Sequence, residues 1–378
     1  MPISLEGVKI VDLSRVLAGP LCAMMLGDLG ADVIKVERPG QGDESRGWGP
    51  PFDEDGESAY YLSCNRNKLS VALDLDAPED RRVLDGLINE ADVVLENFRP
   101  GALASRGVAA ATWLDRNEAL VWCTISGFGP ESARPGYDFV VQAESGWMSI
   151  TGDPGGEPMK TGVALADVIA GKDATIAILG ALLARDRSSV PLPAANRQLH
   201  ISLSGSATAA LINVAQNTLV GGADPRRWGN AHPNLVPYQL FNARDRQMVI
   251  AVGNDGQWTA ACLALGLDEL AHDATLRMNK GRLADRERVV GAIANRLKTA
   301  DASHWLGALE AAGVPCGVVR SVRDALGDVA HSPVSGIAPS VPGIVRRRPP
   351  RLDEHGAAIR RAGWGAFSLY GRPKNIRK

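Results

Sequence analysis

Short apolar runs alternate with longer stretches of mixed polarity through the first 200 residues of the chain. The runs are rich in valine, isoleucine and leucine and predict strands, whereas apolar residues three and four apart in the stretches between them predict helices. Strands are predicted at 8–13, 32–37, 69–74, 91–96, 120–125 and 198–203, and helices at 18–29 and 78–90. Strands that alternate with helices indicate βαβ units and therefore an α/β fold with a mostly parallel sheet.

The longest helical pattern lies in the segment 161–187 and follows a stretch of small and apolar residues with one carboxylate, Asp167. One face of the predicted helix is apolar and consists of Ala174, Ile178, Leu179, Leu182 and Leu183. The charged form of an acid near a helix start is favoured by the helix dipole and the free N–H groups. Such a carboxylate, partly desolvated, can act as a nucleophile, although capping the helix is the more common role. Asp173 is expected to be a solvated acid of the first turn.

The pattern changes in the second half of the chain. A predicted helix at 207–219 is followed by a composition break at 220–227, after which strands and helices no longer alternate regularly. Strands are predicted at 238–242, 248–252 and 314–319, and helices at 257–265, 285–298, 302–311 and 349–363. We therefore expect a Rossmann-like large domain at 1–200, a helix and linker at 201–228, a smaller α+β domain at 229–325 and a return segment at 326–378.

Composition places the chain among globular proteins and excludes several partners. Its 378 residues are 45% hydrophobic and 22% charged, with a formal net charge of −2, so neither nucleic acid nor an anionic membrane is expected as a partner. No apolar run approaches the ~18 residues of a membrane span, and the N-terminal stretch lacks a signal pattern. The five scattered cysteines and six histidines form no metal-ligand motif, and free thiols suit a reducing compartment. We expect a cytoplasmic protein without a metal site.

The loops that follow the predicted strands are the first places to look for a site, because ligands of parallel sheets bind at the carboxyl ends of strands. The loop 14–20 (SRVLAGP) lacks the GxGxxG fingerprint, and the chain contains no Walker motif, so a nicotinamide dehydrogenase is not favoured. The loop 38–51 holds Arg46 and an isolated Trp48, which suit contact with a small acid or a partner chain. The segment 97–101 (NFRPG) suits an anionic ligand with a planar ring, or a simple turn.

Taken together, these stretches resemble the family III CoA-transferases, which include formyl-CoA transferase, carnitine CoA-transferase and α-methylacyl-CoA racemase. The matching stretches are LAGPLCAMMLGDLGADVIKVERPGQGDESRGWGPPF, NRNKLSVALDLD, ADVVLENFRPGAL, ISGFGPESARPGYDFVVQAESG, RWGNAHPNLVPYQLF, GNDGQW and AGVPCG. They run from Leu17 to Gly317 and cover most of the chain, and their combination is specific.

The resemblance implies an enzyme that moves CoA from an acyl-CoA donor to a small carboxylic or dicarboxylic acid, with Asp167 as nucleophile and no metal. The implied CoA contacts are Leu17, Ala18, Arg38, Leu73, Asp74, Asn97, Phe98, Arg99, Arg106, Arg134, Tyr137 and Asp138. The implied substrate contacts are Trp48, Tyr60, Gly253, Asn254 and Gly256, the last three in a glycine loop that covers the active site in some members. The resemblance also implies an interlocked homodimer, in which each chain threads through its partner.

The implied mechanism is covalent. Asp167 attacks the donor thioester to give an aspartyl anhydride and then an aspartyl-CoA thioester, from which CoA passes to the acceptor acid. Water would hydrolyse the anhydrides, so a lid that excludes water has a physical purpose. From the residues alone, Cys123 is a rival nucleophile, because a thiol would form an acyl thioester.

The chain departs from the family pattern at places that bear on function. Ser105, Pro135 and Asp76 stand where relatives carry basic residues, so the candidates for phosphate contacts are Arg38, Arg99, Arg106 and Arg134. A racemase or epimerase of the same fold needs a histidine where this chain has Tyr137, and a glutamate near Asn242. Such a racemase and a non-catalytic CoA-binding homologue are the two alternatives to a transferase.

Overall fold

The computed structural model describes residues 4–370 of the chain. These residues divide into two compact units. The first unit consists of residues 4–147, 160–221 and 329–370, and the second consists of residues 148–159 and 222–328.

The first unit is built on a parallel sheet of six strands. The strands are β1 (Lys9–Asp12), β2 (Asp32–Glu37), β3 (Lys68–Ala72), β4 (Val93–Glu96), β5 (Val121–Ser126) and β6 (Gln198–Ser202). Their order across the sheet is β3-β2-β1-β4-β5-β6, and every neighbouring pair is parallel. The prediction of an α/β fold with a parallel sheet is therefore confirmed. In this order the connections reverse direction between β1 and β4, which is where such sheets bind ligands.

Helices lie between and after these strands. They are α1 (Ala18–Asp28), α2 (Ala59–Leu62), α3 (Pro78–Asn89), α4 (Ala110–Arg116), α5 (Asp138–Glu144), α6 (Trp147–Ile150), α7 (Leu165–Arg187), α8 (Ala194–Arg197), α9 (Leu203–Ala209) and α10 (Ile212–Gly221). The predicted bounds of α1 and α3 agree with the structure to within one residue.

The sheet is buried on both faces, which explains why its strands are uniformly apolar instead of alternating. Successive residues of a strand point to opposite faces. Val11, Ile34 and Val94 belong to one hydrophobic core, whereas their neighbours Ile10 and Val33 belong to the other. Each fully buried aliphatic side chain stabilises the fold by about 1.5–3 kcal/mol relative to exposure, so both layers of helices are firmly attached.

Helix α7 packs closely on α1 at Gly171. A Cβ atom built on Gly171 would lie 2.6 Å from the backbone oxygen of Ala18, so only glycine fits there. Because Gly171 is one turn after Asp167, this contact fixes the start of α7 against the start of α1.

The predicted apolar face of α7 and the predicted role of Asp173 are correct only in part. Ala174, Ile178 and Leu182 are buried, but Leu183 is 51% exposed. Asp173 does not lie in the first turn, because α7 begins at Leu165, and its carboxylate accepts a hydrogen bond from the Ser206 hydroxyl at 2.6 Å. The early start of the helix was missed, although Leu165, Val168 and Ile169 already have the i, i+3, i+4 spacing of a helix.

One predicted helix is two helices in the structure. The helix expected at 207–219 is replaced by α9, which begins directly after β6, and α10. The side chain of Ser202 accepts a hydrogen bond from the backbone N–H of Gly205 and so caps α9. The chain breaks before α10 at Ile212, whose φ of 36° is incompatible with a continuous helix. Neither glycine nor proline marks this break in the sequence.

The second unit is a smaller α+β body with its own core. Its antiparallel sheet has the order β7-β8-β9, with β7 (Tyr238–Asn242), β8 (Gln247–Ala251) and β9 (Cys316–Val318). The helices are α11 (Asp255–Ala264), α12 (Asp268–His272), α13 (Asn279–Ala284), α14 (Arg286–Leu297), α15 (Ala302–Ala311) and α16 (Val322–Leu326). The core includes the indole rings of Trp258 and Trp305.

The last described segment returns to the first unit and covers the edge of its sheet. It contains the short strands β10 (His331–Ser332) and β11 (Gly336–Ile337) and the helices α17 (Gly356–Ala362) and α18 (Ala366–Leu369). The edge strand β3 donates the backbone N–H of Ser70 to His355 Nδ1 at 3.1 Å and that of Ala72 to Asp353 Oδ1 at 2.8 Å. The helix expected at 349–363 is therefore shorter, because its first half forms these contacts to the sheet edge.

None of the helices found within residues 4–370 is both long enough and apolar enough to span a membrane.

Candidate active site

Asp167 is a buried acid in the first turn of α7. Its side chain is 9% exposed. The N-cap residue, Ala164, has no side chain that can accept a hydrogen bond. The cap is supplied by Asp138 at the start of α5, whose Oδ1 accepts the backbone N–H of Ala166 at 2.8 Å and that of Asp167 at 3.4 Å. The interpretation of Asp167 as an ordinary helix cap is therefore wrong.

The environment of Asp167 opposes its charge. Burial raises the pKa of the Asp167 carboxyl to about 7, and the negative charge of Asp138 adds to the rise. The expectation that the helix start would favour the charged form is thus wrong in direction, because the first N–H groups of α7 are taken by Asp138. Within residues 4–370, no hydrogen bond reaches the Asp167 carboxylate, so its oxygens are available to react.

Gln142 holds Asp138 in place. This fully buried amide lies one turn after Asp138 on α5 and donates to Asp138 Oδ2 at 2.6 Å. Its Oε1 accepts the backbone N–H of Thr161 at 2.9 Å, which ties the segment before α7 to α5. The sequence analysis missed Gln142 because it predicted no helix at 138–144; only on a helix does the spacing of four residues bring Gln142 beside Asp138.

Tyr60 and Trp48 lie on the loop and short helix that follow β2. Their rings meet edge to face with centroids 5.1 Å apart, and Trp48 is 41% exposed. Burial, together with the negative charge of Asp167, raises the pKa of the Tyr60 hydroxyl well above its ordinary value. Tyr60 therefore stays protonated at neutral pH and can donate a hydrogen bond in the electrostatic field of Asp167.

The loop before α1 is strained and is held by a buried ion pair. Val16 has a φ of 72°, which is rare for a β-branched residue. Its backbone N–H donates to the Asp43 carboxylate at 3.2 and 3.3 Å. Lys35 Nζ donates to Asp43 Oδ2 at 3.0 Å and to the Ser14 carbonyl at 2.8 Å. These contacts fix the backbone of Leu17 and Ala18, the implied CoA contact, beside α7.

Arg46, which the sequence suggested as a contact for a small acid, is occupied by other residues of the first unit. Its guanidinium is buried and donates to both carboxylate oxygens of Glu37, at 2.9 and 2.8 Å. It also donates to Glu57 at 2.5 Å and to the Tyr61 hydroxyl at 2.6 Å. Arg46 thus supports the loop that carries Trp48 and has little capacity left to bind an acid.

The four arginines considered for phosphate contacts differ in their partners. Arg106 pairs with Asp76 at 3.4 Å, and Arg134 pairs with Glu144 at 2.5 Å and lies over the Phe128 ring. Within the described part of the chain, Arg38 and Arg99 are exposed and form no ion pair. Of the four arginines, Arg38 and Arg99 could therefore bind a phosphate without first breaking an ion pair.

Asn97 joins two loops at the carboxyl edge of the sheet. Its side-chain oxygen accepts the backbone N–H of Arg15 at 3.0 Å, and its amide nitrogen donates to the Arg15 carbonyl at 2.8 Å. The Arg15 guanidinium lies 5.3 Å from the centroid of the Phe98 ring and pairs with Glu44 at 3.2 Å. Arg15 was not among the predicted contacts, although it lies in the first loop after β1.

A cleft with a volume of about 270 Å³ opens beside the same edge. Its lining includes the predicted residues Phe98 and Arg99 together with Glu96, Thr124 and His200, which the sequence did not indicate. Burial raises the pKa of the Glu96 carboxyl, while the Thr124 hydroxyl and the Phe98 N–H bind the carboxylate and oppose the rise.

Three other predicted CoA contacts lie in turns or at the surface. Leu73 is buried, with 2% exposure, and its backbone N–H donates to the Glu37 carbonyl at 2.9 Å. The Asp74 carboxylate accepts the backbone N–H of Asp76 at 3.0 Å in the turn before α3. Tyr137, which immediately precedes α5, is 55% exposed.

The predicted glycine loop lies in the second unit. The Asn254 side chain caps α11 by accepting the backbone N–H of Gln257 at 2.9 Å. The backbone N–H of Gly253 donates to Gln257 Oε1 at 2.8 Å, and Gly256 lies in the first turn of the helix. These residues therefore form a capped turn between β8 and α11.

Cys123 is a poor rival nucleophile. It is fully buried on β5, and burial raises the pKa of its thiol well above the ordinary value. The thiolate is the reactive form of cysteine, so this thiol is inert at neutral pH. Within residues 4–370, no three acids, cysteines or histidines are grouped so as to hold a metal ion.

The parallel sheet, with a buried acid at a helix start near its carboxyl edge, defines an α/β protein whose ligands bind at that edge. The model of CoA-transferase family III matches residues 5–355, so the chain belongs to this family. It is 42% identical over 323 residues to the succinyl-CoA:glutarate CoA-transferase of Mus musculus, which covers 85% of this chain and 73% of that protein. It is 41% identical over 332 residues to the succinate–glutarate CoA-transferase of Agrobacterium fabrum, which covers 86% and 82%.

A solved structure leads to the same family. The crystal structure of a CAIB/BAIF family protein from Brucella suis matches with a TM-score of 0.82 at 39% identity, over 96% of this chain and 99% of that one. The protein is thus an enzyme of the CoA-transferase type, which confirms the resemblance found in the sequence. A non-catalytic homologue is no longer a competing interpretation.

Proposed function

We propose that this enzyme transfers CoA from succinyl-CoA to glutarate or a similar dicarboxylic acid, with Asp167 as the covalent nucleophile. The choice of donor and acceptor is supported by the names of the two relatives, each a succinate- and glutarate-specific transferase. The role of Asp167 is supported by one observation above all. Its carboxylate is buried, points from the start of a rigid helix and accepts no hydrogen bond from residues 4–370.

The first half-reaction forms a thioester on the enzyme. An oxygen of the Asp167 carboxylate attacks the thioester carbon of succinyl-CoA, and the C–S bond breaks to release CoA thiolate and leave a mixed anhydride. The thiolate then attacks the Asp167 carbonyl carbon, succinate leaves, and an aspartyl-CoA thioester remains. Only the ionised carboxylate can attack, and a desolvated carboxylate is more reactive than one bonded to water.

The second half-reaction is the reverse with another acid. The glutarate carboxylate attacks the aspartyl thioester and expels CoA thiolate, which gives an anhydride between glutarate and Asp167. The thiolate attacks the glutaryl carbonyl, so that glutaryl-CoA leaves and the Asp167 carboxylate is regenerated. Tyr60 stays protonated beside this negative charge and is proposed to donate a hydrogen bond during these steps.

CoA is proposed to bind along the carboxyl edge of the first sheet. The backbone at Leu17 and Ala18, the Phe98 ring and the unpaired guanidinium groups of Arg38 and Arg99 support this position. Guanidinium groups bind phosphate through two parallel hydrogen bonds, which suits the phosphates of CoA.

The enzyme is further proposed to be an interlocked homodimer. Helix α10 has no buried residue, and its apolar side chains Ile212, Leu219 and Val220 are 73%, 78% and 79% exposed. Exposed apolar surface of this kind is costly in water and is typical of a face that another chain covers. Light scattering during size-exclusion chromatography should give twice the mass of one chain, and a monomer would contradict the assembly.

The decisive experiment is a panel of donors and acceptors with purified enzyme. Succinyl-CoA, acetyl-CoA and formyl-CoA are combined in turn with glutarate, oxalate, mesaconate and citramalate, and new acyl-CoA products are identified by mass spectrometry. Succinyl-CoA with glutarate should give glutaryl-CoA at the highest kcat/KM. A different preferred pair would correct the substrate assignment, and the absence of any product from every pair would contradict the proposed activity.

A further inference from the structure

Two arginines of the second unit lie against one indole ring and have no acidic partner. The guanidinium carbons of Arg226 and Arg286 lie 4.2 and 4.8 Å from the centroid of the Trp228 ring. The two groups are therefore no further apart than the sum of these distances. Within residues 4–370, neither guanidinium forms an ion pair with a carboxylate. Two like charges therefore lie close to one indole ring without a carboxylate partner among the described residues.

Two arginines near Arg286 do have carboxylate partners. Arg282 pairs with Asp255 at 2.9 Å. Arg288, two residues after Arg286 on α14, pairs with Asp273 at 2.6 Å and with Asp285 at 2.5 Å. The charges of Arg282 and Arg288 are therefore balanced by carboxylates, whereas Arg286 has no such partner among the described residues.

Arg286 also has an unused hydrogen-bond donor. Its Nη2 donates to the carbonyl oxygens of His232 and Pro233, at 3.0 and 2.8 Å. Its Nη1 is buried and finds no acceptor in the described structure. A buried donor without an acceptor is unfavourable, and an incoming anion that reaches it would remove this penalty.

The local electrostatic potential is positive. Burial and the charge of Arg226 lower the pKa of Arg286, and burial and the charge of Arg286 lower the pKa of His232. Stacking on an indole uses the flat face of a guanidinium and leaves its N–H groups free at the edges. The two arginines therefore present charged N–H donors at the edges of their guanidinium groups, around one indole ring.

The backbone under Arg226 and Trp228 is fixed by residues of the same unit. Arg227, which lies between them in sequence, donates to the carbonyl oxygens of Asp153 and Gly156 at 3.1 and 2.8 Å. The next residue, Gly229, donates its backbone N–H to the Gly152 carbonyl at 3.1 Å. A binding group on an anchored backbone loses less conformational entropy when its ligand arrives.

We propose that Arg226, Trp228 and Arg286 form a binding site for an oxyanion group of a ligand. Carboxylates and phosphates share this chemistry, and both accept paired hydrogen bonds from guanidinium groups. The two sources considered are the carboxylate of the acid substrate and a phosphate of CoA, a choice that rests on the proposed function. The site itself rests only on the unpaired charges and the unused donor.

Isothermal titration calorimetry with the full chain tests the site. Sodium glutarate and adenosine 3′,5′-bisphosphate are titrated separately into wild type, Arg226→Gln, Arg286→Lys and the control Arg288→Gln. The control removes the same charge from the same unit but from an arginine that is already paired. Arg226 is exposed and makes no hydrogen bond with another residue of the range 4–370, so its replacement should leave the thermal unfolding midpoint unchanged.

Arg226→Gln and Arg286→Lys should weaken binding of one of the two ligands by at least about tenfold, as expected for loss of a charge-assisted hydrogen bond. Arg288→Gln should bind like wild type. An Arg226-dependent loss for glutarate identifies the carboxylate as the ligand group, and such a loss for the bisphosphate identifies the phosphate. Unchanged affinity of Arg226→Gln for both ligands, an equal loss in Arg288→Gln, or no binding to wild type overturns the site. The transfer activity of the wild-type enzyme is measured separately. It tests the proposed function independently of the calorimetric result.

Discussion

The carboxyl group of Asp167 owes its properties to burial and to one neighbour, Asp138. Asp138 takes the N–H groups that would otherwise stabilise an acid at the start of α7, and its own charge repels that of Asp167. Together with burial, this produces an acid that is about half ionised at neutral pH and carries no hydrogen bond from the described residues. Such a group is costly to maintain, which favours a chemical role over a structural one.

Loss of the Asp167 carboxylate should abolish transfer. Asp167→Ala is expected to lower kcat at least about a hundredfold, a barrier increase of about 2.7 kcal/mol or more, because no other acid can form the anhydride. Wild type incubated with donor and then hydroxylamine should carry a hydroxamate on Asp167, seen by peptide mapping. Asp173→Asn is the matched control, because this acid lies on the same helix but binds Ser206. Acylation of Cys123 without a hydroxamate on Asp167 would contradict the mechanism.

The raised pKa of Asp167 predicts a pH-dependent cost of folding. In the unfolded chain this carboxyl ionises near pH 3.8, whereas in the folded protein it ionises near pH 7. The folded state therefore binds more protons between these values, and wild type should lose stability as the pH rises from about 4 to 7. The buried charge costs up to about 4 kcal/mol above pH 7. Asp167→Asn avoids that cost.

The difference in unfolding free energy between Asp167→Asn and wild type should therefore grow from pH 4 to pH 7 and stay level above pH 7. Urea unfolding at several pH values measures it, and other titrating groups cancel because both proteins share them. A difference that is independent of pH would mean that the carboxyl is not perturbed in the folded state.

At the scale of elements, the contact between α1 and α7 positions the candidate nucleophile. Gly171 lies one turn after Asp167 and touches the backbone of Ala18, so the starts of the two helices are in fixed register. The loop before α1 is held from the other side by Asp43 and Lys35. The strain at Val16 persists because this buried ion pair determines the backbone there.

Gly171→Ala should disturb this register. A methyl group would lie 2.6 Å from the Ala18 carbonyl oxygen, so overpacking is expected to cost about 1–3 kcal/mol, more than the ~1 kcal/mol gained from helix propensity. Gly180→Ala on the same helix is the control, because no atom lies within 4 Å of its added methyl group. Urea unfolding should show destabilisation at 171 and slight stabilisation at 180. Stabilisation by both substitutions would mean that α1 and α7 are not closely packed at Gly171.

The sequence predicted the six strands of the first unit well, because strands buried on both faces leave unmistakable apolar runs, but it missed the short helices α2, α4, α5, α6 and α8. It failed where the signal is not local. The break before Ile212 carries no glycine or proline. The early start of α7 is a different case, because the local signal of Leu165, Val168 and Ile169 was present and was missed. Asp167 was found by its isolation among apolar residues and by the family pattern. The roles of Asp138 and Arg46 depended on partners distant in sequence, which no spacing rule reveals.

At the scale of the whole molecule, the chain crosses between its two units more than once. The segment 329–370 completes the first unit by covering the edge of β3, and residues 148–159 belong to the second unit although the first resumes at 160. Contacts with the sheet edge explain why the helical pattern at 349–363 corresponds to only a short helix in the structure. The first half of this segment is extended, because it satisfies the backbone of the edge strand β3.

The sequence pattern of the whole chain also predicts a reaction that the enzyme does not catalyse, the racemisation of an acyl-CoA. Racemisation of a 2-methylacyl-CoA requires one group to remove the α-proton and a second to return it on the other face. The position that resembles the catalytic histidine of the racemases is Tyr137, which is 55% exposed, and a phenol is a weak base at neutral pH. Asp167 is only one of the two proton-transfer groups that racemisation requires, so the pair of groups is incomplete.

Wild type incubated with a 2-methylacyl-CoA in deuterated water should therefore leave the α-carbon unlabelled. Mass spectrometry of the recovered thioester measures the label, and transfer of CoA to glutarate in the same solvent serves as the positive control for active enzyme. Deuterium at the α-carbon at a rate comparable to kcat would show that Asp167 has a second proton-transfer partner. The enzyme would then be a racemase within the transferase family, and the covalent role proposed for Asp167 would have to give way to that of a base.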